Sequence, residues 1–314
     1  MSGRAREVAE RFHRDVHRVV VGQDETVRLA FIALVLGGHL LIEGVPGTAK
    51  TLLARTIARL IGGTFKRIQF TPDLMPSDIV GTSIYEITTS NFRIKEGPIF
   101  ANVVLADEVN RAPAKAQAAL LEAMEEKQVT LEGDSRPLPR PFLVIATQNP
   151  VEYEGTYPLP EAELDRFLFK AVVAYPQQPE EAAILRRHDK GRPLDLVETL
   201  DPLGPTDLRS SRDEIESVTV EDSVVDYIVR IVEETRRSGD LVLGASPRAG
   251  VHLLHAAKAS AALDGRDFVT PDDVKSLVAP TLRHRVVLKA EAEIEGVDAD
   301  AALRRVLARL DVPR

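Results

Sequence analysis

The sequence predicts an α/β fold with a mostly parallel sheet, followed by a smaller domain made of helices alone. Four short apolar runs have the composition of strands that are buried on both faces of a sheet. Helical patterns separate several of these runs, and strands that alternate with helices favour a parallel sheet covered by helices. The four predicted strands are 39–42, 67–70, 103–106 and 142–146.

The other elements of the α/β part follow in chain order. Residues 7–36, which precede the first strand, have a helical pattern that is interrupted at 20–23. After Pro113, apolar residues recur at helical spacing, which predicts a helix between the third and fourth strands. Two segments fall outside this alternation and are predicted as inserted hairpins: 83–97, with a polar turn at 88–91, and 129–140, with Gly133 and Asp134 at its turn.

The composition changes after Tyr175, and we assign residues 1–176 to the α/β domain. Pro176, Pro179 and a stretch rich in Pro, Gly and Asp predict a linker over 177–219. Residues 220–314 form the predicted helical domain. Thr270 is the predicted N-cap of its third helix, ahead of a proline at the first helical position. The four predicted helices of this domain are 221–237, 247–263, 271–283 and 301–310.

Composition and charge exclude several classes of protein. The 314 residues are 44% hydrophobic and 28% charged, which is ordinary globular usage and excludes a disordered or fibrous chain. The net charge of −8 argues against a dedicated nucleic-acid binder. The chain has no Cys, which excludes disulfides, thiolate metal sites and a cysteine nucleophile and fits a reducing compartment.

Neither a secretory signal nor a membrane span is expected from the sequence. The first residues are charged throughout, whereas a signal peptide needs an apolar core. The longest apolar stretch, 29–42, is broken by glycines and a histidine and is too short to cross a bilayer. We therefore expect a soluble, cytoplasmic protein.

The segment GVPGTAKT (44–51) lies between a predicted strand and a predicted helix and matches the phosphate-binding loop G-x-x-x-x-G-K-[ST] at every position but one. Ala49 replaces the second glycine, and it is strained only if the loop needs a positive φ there. Backbone N–H groups and the helix N-terminus cradle phosphates in such loops. Lys50 is predicted to reach the β- and γ-phosphates of ATP, and Thr51 to bind Mg²⁺. The predicted nucleotide-binding residues here are Gly44, Pro46, Gly47, Thr48, Ala49, Lys50, Thr51 and Leu52.

Two further strand ends carry polar residues suited to nucleotide hydrolysis. The third strand ends in Asp107, a predicted ligand of Mg²⁺ and part of the nucleotide site, and Glu108, a predicted base that polarises the attacking water. The fourth strand is followed by Asn149, whose amide is suited to orienting that water. Together with the loop, these residues predict an ATP-hydrolysing site.

Eight motifs in combination give the chain a resemblance to the MoxR group of AAA+ ATPases, over residues 20–284. The resemblance implies a P-loop AAA+ core with a mostly parallel sheet, plus a C-terminal all-helical lid domain. The inserted hairpins match those that the family carries inside its second helix and before sensor 1. The motifs are GVPGTAKT (44–51), FTPDL (70–74), LADEVNRAP (105–113), EAMEE (122–126), ATQNP (146–150), LPE (159–161), LDRF (164–167) and GASPR (244–248).

The resemblance implies roles for four residues, one of which is Asn149. Asn149 corresponds to sensor 1, Arg166 to the arginine finger, Arg248 to sensor 2, and Gln23 to a segment near the adenine. Two alternatives stay open: Arg166 pairs with a neighbouring acid instead, and Arg248 acts either on its own site or on a neighbour's. A cation that opens a helix is electrostatically unfavourable, so a negative partner such as phosphate is expected at Arg248.

The resemblance also implies a homo-oligomeric ring, predicted as a hexamer, that serves a protein with a von Willebrand A domain in chaperone-like remodelling or maturation. A magnesium-chelatase-like ATPase subunit is the alternative that shares the architecture. A nucleic-acid motor of the same clade is disfavoured, because Arg136 and Arg140 of the second hairpin lie beside acidic residues. A scaffold that binds ATP without hydrolysing it is disfavoured by the presence of Glu108, Asn149 and Arg166.

Two clusters are assigned to packing or to the surface. His252 and His255 lie three residues apart on a predicted helix with no third ligand suggested. The acidic residues at 122, 125 and 126 are predicted to form a solvated helix face.

Overall fold

The structure, a computed structural model, describes residues 3–88, 90–149, 157–189 and 191–313. It divides into two compact units, an α/β unit (Phe12–Arg166 and Ala171–Leu203) and a helical unit. The helical unit runs from Gly204 to the C-terminal end and includes Phe167–Lys170 and the N-terminal residues up to Arg11. Thr89, in the predicted turn of the first hairpin, and Pro150, in the motif after the fourth strand, lie outside the described residues.

Within the described residues, helices occupy both units. They are α1 (Arg4–His17), α2 (Asp24–Leu36), α3 (Lys50–Leu60), α4 (Pro76–Val80), α5 (Ala114–Glu126), α6 (Glu161–Leu164), α7 (Gln178–Asp189), α8 (Pro193–Glu198), α9 (Asp207–Glu216), α10 (Asp222–Arg237), α11 (Pro247–Leu263), α12 (Pro271–Leu282), α13 (Ala290–Ile294) and α14 (Ala299–Ala308).

In the described parts of the chain, the strands form one central sheet and three two-stranded sheets. They are β1 (Leu40–Gly44), β2 (Phe65–Gln69), β3 (Gly81–Glu86), β4 (Asn91–Glu96), β5 (Val103–Asp107), β6 (Gln128–Leu131), β7 (Asp134–Pro137), β8 (Leu143–Gln148), β9 (Phe169–Val173), β10 (Leu241–Leu243) and β11 (Val287–Leu288).

The central sheet has the strand order β2-β5-β8-β1-β9, and the pairs β1–β8, β8–β5 and β5–β2 are parallel. The predicted α/β fold is therefore confirmed. Apolar residues of β1, β5 and β8 are buried, as expected for interior strands. β2 differs from the prediction, because it is an edge strand on which Lys66 and Arg67 are exposed. β9 was not predicted.

The two inserted hairpins are β3–β4 and β6–β7, both antiparallel. In the first, Tyr85 lies opposite Phe92, and their rings meet edge to face at a centroid distance of 5.2 Å. Both rings are more than half exposed, as is Ile87 at the turn. This hairpin therefore presents an apolar surface that the described residues of the chain do not bury.

The segment 177–219, predicted as a linker, contains the helices α7, α8 and α9. Two of its four prolines lie in the first turn of a helix: Pro179 is the second residue of α7, and Pro193 is the first residue of α8, where a missing N–H costs nothing. The segment up to Leu203 packs on α3, since the Leu203 N–H donates to the Leu60 carbonyl at 2.7 Å and Arg59 donates to the Leu200 carbonyl at 2.9 Å. The division between the units therefore falls near residue 204.

The helical unit is built around α11, which packs against both α10 and α12. Thr270 caps α12 in a capping box with Asp273, as its sequence predicted. Arg266 and Thr270 both donate to the Asp273 carboxylate, and these bonds hold the pKa of Asp273 below its ordinary value despite its burial. The small sheet β10–β11 and the short helix α13 were not predicted.

His39 is a buried, neutral histidine at the start of β1. Its Nδ1 accepts the Val144 N–H at 3.0 Å, so Nε2 carries the proton and donates to the Met124 carbonyl at 3.2 Å. Burial lowers the pKa of His39 from 6.5 to about 4. Between about pH 4 and pH 6.5, this histidine is therefore protonated in the unfolded chain and neutral in the folded chain.

We expect His39 to destabilise the fold in acid. Because its folded pKa is depressed, stability is lost as the pH falls from about 6.5 towards 4, by up to about 3 kcal/mol. His39→Gln should be less stable at neutral pH but should lack this part of the pH dependence, measured as the free energy of unfolding against pH. His255→Gln, at an exposed histidine, is the control. Equal slopes in wild type and His39→Gln would contradict the assignment.

Candidate active site

The predicted motifs meet at one edge of the central sheet. Parallel register places Glu43 of β1 beside Gln148 of β8, and Gln69 of β2 beside Asp107 of β5. The carboxyl ends of these four strands therefore lie side by side. The loop that begins at Gly44 and the residues that follow β5 and β8 all leave the sheet at this edge, where open α/β sheets bind their ligands.

The loop 44–51 has the backbone of an anion-binding turn. Gly47 and Ala49 adopt positive φ angles of 83° and 57°, and α3 begins at Lys50. The first N–H groups of a helix have no acceptor within the helix. Residues that alternate between right- and left-handed backbone conformations point successive N–H groups towards one side. A Cβ on Gly47 would meet no described atom within 4 Å, so the loop is open there. Pro46 is exposed, and Leu52 is half-buried in the first turn of α3.

Two side-chain hydrogen bonds, made by Gln23 and Thr48, stabilise the loop. The Gln23 side-chain amide donates to the Thr48 carbonyl at 2.7 Å, and the Thr48 hydroxyl donates to the Val45 carbonyl at 3.1 Å. Thr48 is buried. Gln23 therefore touches the phosphate-binding loop, and its place near the adenine stays a prediction.

Ala49 holds the left-handed conformation (φ 57°, ψ 21°) that the sequence alone left undecided. This conformation costs an L-residue with a side chain about 1–2 kcal/mol of conformational free energy, and it costs glycine far less. The alanine in place of the usual glycine therefore strains the loop.

We expect Ala49→Gly to stabilise the chain by up to about 1 kcal/mol, because relief of this strain exceeds the added entropy of the unfolded glycine. Ala182→Gly, within the helix α7, should do the opposite and cost about 1 kcal/mol. Denaturant unfolding of both variants tests the sign. Destabilisation of similar size in the two variants would show that Ala49 is not strained.

Lys50 lies at the beginning of α3 with its ammonium turned back to β1. Nζ donates to the Gly44 carbonyl at 2.5 Å. Burial lowers the pKa of Lys50, and the nearby carboxylates of Asp107 and Glu108 partly oppose that shift. Lys50 from one motif and the two carboxylates from the other are thus close enough to interact.

Asp107 is held from two sides by residues on the neighbouring strands. Its Oδ1 accepts the Thr147 hydroxyl at 2.6 Å, and its Oδ2 accepts both Nε (3.1 Å) and a terminal nitrogen (2.6 Å) of Arg67. A carboxylate has about four lone-pair positions, so this arrangement leaves room for a further ligand. Arg67 and Thr147 fix the rotamer of Asp107.

Glu108 follows β5 in a left-handed conformation with φ 57°. Its Oε2 accepts the Gln69 side-chain amide at 2.8 Å and Arg111 at 3.0 Å. Its backbone N–H donates to the Thr147 hydroxyl at 2.9 Å. The buried Thr147 therefore ties the backbone of Glu108 to the carboxylate of Asp107.

Sequence reasoning did not single out Arg67, Gln69, Arg111 or Thr147 as parts of this site. Three of them were within reach of a register argument, since Arg67 and Gln69 alternate on the strand next to β5, and Thr147 lies near the end of the strand on its other side. Their polar side chains at strand ends were the available signal.

The other predicted residues occupy separate places. Asn149 directly follows β8 and is half-buried at the same edge of the sheet. Arg166 follows α6, and its Nε lies 3.2 Å from Glu125 Oε2, so the ion pair that the sequence left open is present. Arg248 is exposed in the first turn of α11, in the helical unit, and the N-cap of that helix is Ser246.

The two clusters assigned to packing or surface differ in their surroundings. His252 Nδ1 lies 2.5 Å from a guanidinium nitrogen of the buried Arg285, which is a packing role. The acids of α5 are all exposed, as predicted for a solvated helix face, and with Arg166 they line a shallow cavity of about 240 Å³.

The chemistry of this edge fits a magnesium nucleotide. Backbone amides and the Lys50 ammonium are donors suited to phosphate oxygens. Thr51, in the first turn of α3, and Asp107 offer the hard oxygen ligands that Mg²⁺ prefers. Glu108 supplies a carboxylate beside them.

Comparison with known proteins agrees with this site. A family model described as the ATPase family associated with various cellular activities (AAA) matches residues 39–169, and a model of the AAA lid domain matches residues 233–306. The chain is 41% identical to the solved structure of a candidate ATPase from Cytophaga hutchinsonii, with a TM-score of 0.88 and coverage of 99% of this chain and 96% of that one. The sheet, the loop and the lid therefore define a nucleotide-binding AAA+ ATPase.

Two relatives narrow this class. The chain is 49% identical over 299 residues to the uncharacterized protein YeaC of Bacillus subtilis, covering 95% of this chain and 92% of YeaC. It is 45% identical over 314 residues to the chaperone MoxR1 of Mycobacterium tuberculosis, covering 97% and 82%. The chain belongs to the MoxR family of AAA+ ATPases, and the sequence-based identification is confirmed.

No helix among the described residues combines the length and the apolar character that a bilayer crossing requires.

Proposed function

We propose that this ATPase couples hydrolysis of ATP to the remodelling or maturation of partner proteins. The observation that carries the proposal is the hairpin β3–β4, on which Tyr85, Ile87 and Phe92 are 51%, 84% and 74% exposed. Exposed apolar clusters of this kind mark surfaces that bind other proteins. The name of the relative MoxR1, a chaperone, is consistent with such a role.

The contacts described above support the following residue roles. Bound ATP would supply the phosphoanhydride bond that is hydrolysed, and Mg²⁺ would supply positive charge beside its phosphates. Lys50 would exchange the Gly44 carbonyl for phosphate oxygens, and Thr51 and Asp107 would hold the metal. The N–H groups of 47–52 bind phosphate oxygens, and Gln23 keeps the loop in place.

Glu108 is the residue that we assign to the attacking water. Both of its described donors, Gln69 and Arg111, contact Oε2, so Oε1 is the oxygen that accepts a proton from the water. Asn149, at the end of the adjacent strand, orients that water. A positioned carboxylate base contributes about 10²–10⁴ in rate.

The assembly is proposed as a ring, since AAA+ ATPases typically form oligomeric rings, and we propose a hexamer. In such a ring, Arg166 acts on the nucleotide of the neighbouring subunit. Arg248, a residue of the lid domain, acts on a nucleotide phosphate of its own subunit or of a neighbour. The partner is proposed to carry a von Willebrand A domain, and the absence of Cys fits action in a reducing cytoplasm.

A nucleic-acid motor is less well supported. Arg136, one of the two basic residues of the second hairpin, lies 3.8 Å from Glu96 of β4. A cation already near a carboxylate is a poor phosphate contact, because nucleic-acid binding relies on uncompensated Lys and Arg.

The test is capture by Glu108→Gln in ATP. We expect this variant to bind ATP, to hydrolyse it about 10²–10⁴-fold more slowly, and to retain a von Willebrand A protein that wild type releases. Glu181→Gln, at an exposed glutamate of α7, is the matched control and should behave as wild type.

A second variant separates the two parts of the proposal. Glu108→Gln combined with Phe92→Ser should still bind ATP but lose the partner, because the apolar surface of the hairpin is interrupted. Hydrolysis at the wild-type rate by Glu108→Gln would remove Glu108 from its role. Undiminished capture by the double variant would remove the hairpin from partner binding.

A further inference from the structure

Three side chains that no part of the nucleotide site uses converge at the connection between α1 and α2. His13 and His17 are four residues apart and therefore share one face of α1, and Asp24 is the first residue of α2. The Nε2 atoms of the histidines lie 3.1 Å apart. Asp24 Oδ1 lies 3.2 Å from His13 Nε2 and 3.1 Å from His17 Nε2. The three atoms form a nearly equilateral triangle.

Hydrogen bonds alone do not account for this triangle. Three close contacts between nitrogen and oxygen atoms need three protons, one on each edge. Two neutral imidazoles and an ionised carboxylate supply two at most, and those two N–H groups then face each other across the His13–His17 edge. A cation that accepts all three lone pairs satisfies every atom at once.

We propose that His13, His17 and Asp24 bind a divalent transition metal of the zinc type. Tetrahedral zinc lies about 2.0–2.2 Å from nitrogen and oxygen ligands, which separates those ligands from one another by roughly 3.3–3.6 Å. The observed edges of 3.1–3.2 Å are slightly shorter, so the three side chains need to move apart by only a few tenths of an ångström. A metal ion above the plane of the triangle contacts all three atoms.

The donor set selects the class of metal. Two imidazoles and one carboxylate suit Zn²⁺, Co²⁺ and Ni²⁺, whereas Mg²⁺ prefers oxygen ligands and retains its waters. His17 and His13 are 23% and 43% exposed and Asp24 is 72% exposed, so water has access to the remaining coordination position. Arg28 lies near His13 and opposes the cation, which limits its affinity.

The location gives the metal a consequence for the active site. The ligands lie on both sides of the turn at 20–23, where Gly22 and Gln23 adopt positive φ angles of 66° and 62°. Gln23 in turn holds the phosphate-binding loop through the Thr48 carbonyl. A metal that ties α1 to α2 therefore fixes the segment that supports this loop.

The test is a titration of the untagged, nucleotide-free chain with Zn²⁺ in excess Mg²⁺. Isothermal calorimetry measures the binding, and thermal unfolding measures its effect on stability. We expect one equivalent of Zn²⁺ to bind and to raise the unfolding temperature. His17→Gln and Asp24→Asn should each weaken binding by at least about 10–100-fold, and His255→Gln should not. Co²⁺ in place of zinc should give the visible absorption of a tetrahedral site in wild type and His255→Gln, but not in His17→Gln or Asp24→Asn.

Asp24→Asn guards against misfolding as an explanation, since this side chain is largely exposed and keeps its shape. Its circular dichroism should equal that of wild type. Absence of zinc binding by wild type, or binding by both variants with wild-type affinity, would overturn the proposal.

Discussion

Lys50→Ala is expected to lose ATP turnover almost completely, at least about a hundredfold, and to bind ATP roughly 10–100-fold more weakly. The ammonium that now donates to the Gly44 carbonyl is the only charged donor in the loop 44–51. Its partial burial makes that charge more effective, because charges interact more strongly where water is excluded. Steady-state phosphate release and binding of a fluorescent ATP analogue measure the two effects separately.

Lys115→Ala is the matched control, since Lys115 is an exposed lysine of α5 in the same unit. It should leave both quantities unchanged. Thermal unfolding of Lys50→Ala should remain cooperative, because the substitution removes a partly buried charge and opens no large cavity. Wild-type turnover in a folded Lys50→Ala would contradict the assignment of the loop as the nucleotide site.

Much of this site was predictable because its residues belong to strand ends. Buried runs of apolar residues identify β1, β5 and β8, and parallel strands bring their carboxyl ends to one edge. Lys50, Asp107 and Glu108 were therefore expected to converge, and their electrostatic interaction in the structure agrees with that expectation.

What the sequence did not predict depends on register and on rotamers. Arg67 reaches Asp107 because β2 pairs with β5 in one particular register, and no pattern within 67–70 specifies the partner strand. The conformation of Ala49 was similarly undecided, since alanine is compatible with either hand until the loop is closed around it.

The division of the chain illustrates a different limit. Prolines between 176 and 205 have two physical meanings, because proline both ends extended segments and begins helices. Local composition favoured a linker, whereas the hydrogen bonds of residues 200 and 203 to α3 are long-range contacts that composition does not encode. The triangle of His13, His17 and Asp24 was not predicted either, because it depends on how the turn at 20–23 places α2 beside α1.

Arg166 is expected to act on the ATP of the neighbouring subunit although it pairs with Glu125 in its own chain. Both side chains of this ion pair are partly exposed, at 28% and 42%, so the pair contributes at most about 1 kcal/mol. An arginine finger is worth about 10³–10⁵ in rate, which corresponds to several kcal/mol of transition-state stabilisation. Because this stabilisation exceeds the free energy of the ion pair, we expect Arg166 to leave Glu125 for a phosphoryl group.

Arg166→Ala should therefore lower turnover about 10³–10⁵-fold while ATP binding persists. Glu125→Gln is the informative control, because it breaks the same ion pair and leaves the arginine in place. If the pair were structural, both variants would lose activity and stability together. We expect Glu125→Gln to hydrolyse ATP at least as fast as wild type.

Mixing Arg166→Ala with Lys50→Ala tests action between subunits. Each variant alone is nearly inactive, but a mixed ring contains interfaces that join the intact Lys50 of one subunit to the intact Arg166 of the next. With equal amounts and random assembly, about a quarter of the interfaces of a closed ring are of this kind. Phosphate release should therefore recover to a comparable fraction of the wild-type rate, far above either parent. If the two variants co-assemble, as measured by exchange of labelled subunits, and no activity returns, then Arg166 does not act on its neighbour's nucleotide.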